Sequence, residues 1–177
     1  RVSRRLSHII TVSECSKRDI SQAFTIPPEK FRVVPNGINM DYFYPLRNVE
    51  RHRDHLIVTN SADTPLKGLK YLLEAVAAVR KRRAIRLTVI GQPKPNGIIE
   101  QLVSKLNVEG CVRFTGRIPA EDFARYYAEA TVAVIPSLYE GFGMPAGEAM
   151  ACGVPVISTT GGALPGVVGN AGILVPP

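Results

Sequence analysis

The chain has 177 residues, enough for one domain or for one domain with part of another. A 45% hydrophobic and 21% charged composition excludes a disordered polyelectrolyte, and no run approaches the roughly 20 apolar residues of a membrane span. The formal net charge of +7 is uneven: residues 1–53 carry ten Lys and Arg against five Asp and Glu, and residues 54–177 carry twelve against ten.

In chain order, the basic start (Arg1, Arg4, Arg5) lacks the apolar core of a signal peptide. His8 to Ser13 reads as a strand ending at an N-cap, 14–24 as a helix, and Phe31 to Val34 as a second strand. Pro35-Asn36-Gly37 is turn chemistry, and a Pro- and Arg-rich connector follows to about Asp54. From there short β-branched runs alternate with amphipathic stretches. The predicted strands are Leu56–Asn60, Leu87–Ile90, Val112–Thr115, Val132–Ile135, Val154–Ser158 and Ile173–Val175, with helices near 67–82, 97–107, 120–130 and 145–152. In the first of these helices Leu69, Leu72, Leu73, Val76 and Val79 share one face, and Arg80 to Arg83 form a solvated basic end favoured by the helix dipole. Pro119 suits the start of the third helix, with Glu121 and Asp122 in its first turn.

Strand–helix alternation of this length implies βαβ units, right-handed crossovers and a parallel sheet covered on both faces. The fold class is therefore α/β, a Rossmann-like doubly wound sheet. Ligands of such sheets bind beyond the carboxyl ends of the strands, so the chemistry is sought in the loops that follow them.

Neither the three cysteines (Cys15, Cys111, Cys152) nor the three histidines (His8, His52, His55) have metal-ligand spacing, so no metal is expected and the thiols read as reduced. The basic N-terminal third comes without a zinc finger, an RNP-like aromatic pattern or a basic tail, so no nucleic-acid partner is expected. A phosphorylated ligand or an anionic membrane face remains open, with surface Arg as the plain alternative.

The richest loop follows the strand 132–135 and runs from Pro136 to Met150. Gly141 and Gly143 permit close backbone approach, and Pro145 suits the first position of a helix whose free amides face the cleft. Glu140 stands just before those amides and Glu148 about one turn inside the helix. Two carboxylates so placed can accept hydroxyls at two points of one ligand. Equally, Glu140 can cap the helix while Glu148 forms an exposed ion pair, and spacing alone does not choose.

The segment "PSLYEGFGMPAGEAMACGVPVISTTGG" resembles the signature of retaining glycosyltransferases of the GT-B fold, family 4 (glycosyl transferases group 1). The segments "HIITVSECSKRDI", "VVPNGINMDYF", "LKGLKYLLEAV", "LTVIG", "VRFTGRIPAEDFARYYAEA" and "AGILVPP" resemble the same family in the same order, so the likeness covers essentially the whole chain. It implies two facing Rossmann-like domains. Residues 1–34 would be the end of the N-terminal, acceptor-side domain and 35–54 the interdomain linker. Residues 55–177 would be the C-terminal nucleotide-sugar-binding domain, lacking the stretch that normally follows "ILVPP".

The resemblance implies a role for each matching position. Lys67 matches the lysine on the donor diphosphate, and Arg117 and Ile118 match the turn that reads the nucleobase. Glu140 matches the glutamate facing the transferred sugar. Gly141, Phe142, Gly143 and Met144 match the loop whose amides hold sugar and phosphate, and Glu148 matches the carboxylate on the ribose. Arg117 can also be merely solvated, Phe142 merely packed, and Gly91 either a donor approach or a turn glycine. The expected donor is a nucleoside diphosphate sugar, with no cofactor and no metal required. The expected acceptor is a glycan or lipid-linked sugar met through the other domain, at a cytoplasmic or peripheral membrane location.

Two positions depart from the pattern. Ser61-Ala62 stand where the family often has Gly-Arg, removing one cation of the diphosphate clamp, and Gly166 stands where Glu usually follows the proline of "GALPGVVG". These departures keep a non-catalytic sugar-nucleotide-binding protein as an alternative. A nucleotide-sugar 2-epimerase shares the fold but lacks a loop like "EGFGMP".

Overall fold

A computed structural model describes residues 5–60 and 63–177. The N-terminal segment forms strand β1 (Ile9–Thr11), helix α1 (Glu14–Phe24) and strand β2 (Phe31–Val33), with β1 and β2 paired in parallel as a separate two-stranded sheet. Ser13 caps α1: its side chain accepts the Ser16 N–H, and Thr25 in the left-handed region closes the other end.

The remaining strands are β3 (His55–Thr59), β4 (Arg86–Ile90), β5 (Val112–Phe114), β6 (Val132–Ile135), β7 (Val156–Thr159) and β8 (Ile173–Val175). They form one sheet in the order β5-β4-β3-β6-β7-β8, every neighbouring pair parallel. Counted from β3 this is the 3-2-1-4-5-6 order of a dinucleotide-binding fold, and its topological switch point falls between β3 and β6. The crossovers carry helices α2 (Leu69–Arg80), α3 (Ile98–Lys105), α4 (Phe123–Glu129), α5 (Met144–Ala151) and α6 (Leu164–Val168).

The two faces of the sheet hold two cores. Val58, Leu87 and Val89 pack under α2 and α3 with Leu69, Leu72, Leu73, Val76, Ile99 and Val103. Ile57, Ala133 and Ile135 point the other way, toward α4, α5 and α6, where Tyr127, Ala146, Ala149, Leu164 and Val168 are buried. The split of Ile57 from Val58 is the period-2 alternation of a strand buried on both faces.

The expected α/β fold is the observed one, but several boundaries move for local reasons. The stretch expected as a helix from 67 divides into a 3₁₀ turn (Pro65–Lys67), Gly68 at φ 66°, and α2. A β-carbon on Gly68 would lie 1.9 Å from the Pro136 carbonyl oxygen, so chain direction and close packing both demand glycine here. Lys67 thus sits in the turn ahead of the helix rather than in its first turn. The third helix likewise begins as a 3₁₀ turn, Ala120–Asp122, with Pro119 at its N-cap.

Strand β7 starts at Val156 rather than Val154, because the Val154 N–H closes α5 by bonding the Ala149 carbonyl and Pro155 has no N–H to offer. Helix α6 was not expected. Its Leu-Pro-Gly-Val-Val sequence has poor helix propensity and is held by burial of Leu164 and Val168. Among the described residues no helix is long and apolar enough to cross a membrane.

Candidate functional site

The carboxyl ends of β3, β4, β5 and β6 converge on the switch point. A cavity of about 330 Å³ opens there, lined by Thr59 and Asn60 at the end of β3, Ile90 and Gly91 at the end of β4, Gly116, Arg117 and Ile118 after β5, and Lys67, Phe123 and Pro145. The sheet therefore brings Lys67, Arg117 and Ile118 to one hollow from segments 50 residues apart in sequence. Arg117 is exposed and makes no ion pair among the described residues. Gly91 approaches the Asn60 carbonyl so closely that a β-carbon would lie 2.1 Å from its oxygen, which gives this glycine a packing reason of its own.

Lys67 is aimed by two backbone ties. The Asn60 side-chain amide donates to the Lys67 carbonyl at 2.9 Å, and the Leu138 N–H donates to the Leu66 carbonyl at 2.8 Å. Asn60 Oδ1 is buried and has no hydrogen-bond partner among the described residues. The Lys67 Nζ then reaches Glu140 Oε1 at 2.6 Å, and the Ser137 hydroxyl donates to the same oxygen at 2.8 Å. Glu140 is 9% exposed while the Lys67 side chain keeps a third of its surface in water. Among the described residues both side-chain donors to this carboxylate fall on Oε1, which leaves Oε2 able to accept a further hydrogen bond.

Glu140 does not cap α5. The N-cap is Gly143, at φ 107°, with no side-chain cap bond. The backbone around Glu140 is pinned instead: the Ala163 N–H donates to the Glu140 carbonyl at 2.8 Å, and the Thr159 hydroxyl bonds the Ser137 carbonyl. Among the described residues the amides of Gly141, Phe142, Gly143 and Met144 have no backbone acceptor, and Pro145 has no amide hydrogen. Four consecutive N–H groups leading into α5 are thus available to an anion or a hydroxyl. Phe142 faces a second cavity of about 540 Å³, which it shares with Ser13, Cys15, Arg18, Gly162 and Gly166. The Ser61-Ala62 departure lies outside the described residues.

Glu148 stands one turn into α5 on the side of Pro145 and is half-buried, with no ion pair among the described residues. Burial raises its carboxyl above the ordinary value. Its charge in turn helps to raise Tyr127, itself pushed up chiefly by burial, and Tyr127 hydrogen-bonds Thr59 at the cavity wall. The exposed ion-pair alternative for Glu148 is not what the structure shows. Sequence reading missed Ser137 and Asn60, and a serine three residues before a glutamate carries no signal until the loop's path is known. Among the described residues no three His, Cys, Asp or Glu side chains converge on a metal site.

Residues 53–177 match the family model for glycosyl transferases group 1, and residues 1–42 match that for glycosyltransferase family 4. The chain belongs to the group 1 glycosyltransferase family. Among curated relatives, it is 42% identical over 172 residues to the MMP alpha-(1->4)-mannosyltransferase of Mycolicibacterium hassiacum, covering 97% of this chain and 41% of the relative. It is 32% identical to the O-antigen chain mannosyltransferase B of Escherichia coli, covering 96% of this chain and 47% of the relative. Among solved structures, the sucrose-phosphate synthase of Thermosynechococcus elongatus superposes with a TM-score of 0.82 at 30% identity, covering 99% of this chain and 47% of that one. The Anabaena protein HepE in complex with UDP and glucose superposes at 0.83 with 22% identity, covering 99% and 51%, a likeness of fold. The chain spans less than half the length of these curated relatives.

Proposed function

We propose that this chain carries the nucleotide-sugar-binding half of a retaining glycosyltransferase. That enzyme moves a hexosyl unit from a nucleoside diphosphate sugar to an acceptor hydroxyl in glycan, glycolipid or polysaccharide synthesis. The observation that carries the reading is the Lys67–Glu140–Ser137 cluster, set beside four unpartnered amides at the switch point of the sheet. Its support from similarity is a mannosyltransferase as the 42% identical relative and the UDP and glucose bound by the HepE structure.

The reaction demands stabilisation of an oxocarbenium-like sugar and a departing diphosphate together. Lys67 is held toward the leaving group, and the loop amides 141–144 are fixed before the donor arrives, so little reorganisation is needed as charge develops. A metal is not required where ammonium and amides balance the diphosphate charge. Glu140, with one oxygen taken by Lys67 and Ser137, offers the other to the sugar's hydroxyls and positions the ring. Glu148 accepts from the ribose, and Arg117 and Ile118 border the base.

A thermal-shift screen of UDP-, GDP- and ADP-hexoses tests the reading. A ligand at 100 times its Kd adds about 2.7 kcal/mol to the folded state, which raises the Tm of a chain this size by about 5–10 °C. A mannose donor is the first choice from the relatives. No shift with any of the three would defeat the proposal.

A further inference from the structure

Helix α1 belongs to the two-stranded N-terminal unit, yet its first turn is bonded to the glycine loop more than 120 residues away. The Ser13 hydroxyl donates to the Gly141 carbonyl at 2.6 Å and the Ser16 hydroxyl donates to the same oxygen at 3.0 Å. Ser13 Oγ simultaneously accepts the Ser16 N–H at 3.0 Å, so one hydroxyl serves both as helix cap and as loop clamp. A third tie joins the Tyr139 hydroxyl to the Asp19 carboxylate. Residues 139 and 141, on either side of Glu140, are therefore both fastened to α1.

We propose that Ser13 and Ser16 are positioning residues for the sugar-diphosphate end of the donor, a role that rests on the donor-site reading above. With both lone pairs of the Gly141 carbonyl engaged by α1, the plane of the Gly141–Phe142 peptide is fixed. That peptide is trans, so its N–H points opposite to its C=O. The Phe142 amide is thereby turned away from α1, and it has no acceptor among the described residues. Rotation of this one plane would withdraw the amide from the donor and loosen Glu140 beside it. The effect belongs to the sugar-diphosphate end alone, because Arg117 and Ile118 follow β5 and Glu148 lies a turn inside α5, beyond the peptide that α1 holds.

The test is calorimetric titration of the 177-residue chain with UDP-glucose, GDP-mannose and ADP-glucose, and with UMP, GMP and AMP. S13D with S16A is the decisive pair: aspartate still caps α1 but has no proton for the Gly141 carbonyl. Its affinity for the bound nucleotide sugar is expected to fall about tenfold, with monophosphate affinity unchanged within about twofold. S16A alone, which leaves the cap whole, should lose about threefold, and S13T with S16T should restore wild-type affinity. Unchanged nucleotide-sugar affinity in the S13D, S16A chain overturns the positioning role while the donor site stands. An equal loss for the monophosphate also overturns it, by showing a general structural effect. If the unaltered chain binds none of the six ligands, the donor-site reading falls and this role with it.

Discussion

The Lys67–Glu140 pair is asymmetric in a way that measurement can expose. Glu140 is nearly buried, whereas the Lys67 ammonium reaches solvent. Removing the lysine as Lys67→Met leaves a buried carboxylate held by Ser137 alone, at an expected cost of about 1–3 kcal/mol. Removing the acid as Glu140→Gln leaves a lysine that can turn to water, and should cost less than about 1 kcal/mol. Urea denaturation of the two variants checks the order, and the reverse order would mean that the carboxylate is well solvated. In ligand titrations Glu140→Gln should weaken the nucleotide sugar and spare the nucleoside monophosphate.

Glu148 carries a pH prediction at the same scale. Burial raises its folded pKa above the unfolded value, so the folded chain retains this proton at pH values where the unfolded chain has released it. The group's contribution to stability is therefore full below the unfolded pKa and is lost as pH rises through the folded one. Glu148→Gln removes that loss. Its Tm should exceed that of the unaltered chain by a margin that widens as pH climbs through this window. Nucleotide affinity in the same variant should drop about tenfold or more, because the charged acceptor that the proposed donor site offers the ribose is gone. Stability gained together with affinity lost is the mark of a residue kept for its ligand.

At the scale of elements, the turn before α2 is the most constrained piece of the site. Gly68→Ala forces a side chain into a left-handed position against the Pro136 carbonyl, with a cost of at least about 2 kcal/mol by denaturation. The same change should weaken nucleotide-sugar binding, since the turn carries Lys67. These elements also mark how far the amino-acid pattern could be read. The strands were legible because Leu56 to Val58 is a continuous apolar run and Leu87 to Ile90 is interrupted only by the β-branched Thr88, and such runs belong to central parallel strands. Helix α6 was not legible, because five residues containing Pro165 and Gly166 carry no helical period and are held in place only by tertiary packing. Lys67, Glu140 and Glu148 were singled out as candidates by resemblance and local spacing. Ser137, Asn60, Ser13 and Ser16 were not, since a hydroxyl or amide becomes a positioning group only when the fold brings a distant carbonyl or carboxylate to it.

The whole molecule sets a limit on what this chain does alone. The elements of the proposed donor site lie together in sequence: the cavity at the switch point, the aimed lysine and the amides without a backbone acceptor all fall within residues 59–148. The chain nevertheless spans less than half of its curated relatives, and in the proposed reaction the acceptor is met through the other domain. Water exclusion and acceptor placement both require a second wall over the donor. We therefore expect the 177-residue chain to bind its nucleotide sugar with an affinity measurable by calorimetry and to transfer no sugar to any added acceptor. Release of free nucleoside diphosphate should remain near the uncatalysed rate, because an open cleft leaves the donor solvated. A coupled assay for released diphosphate, run beside the binding titration, separates the two properties. Turnover by this chain alone would mean that the groups at the switch point suffice for the chemistry, and that facing domains are needed only to choose the acceptor.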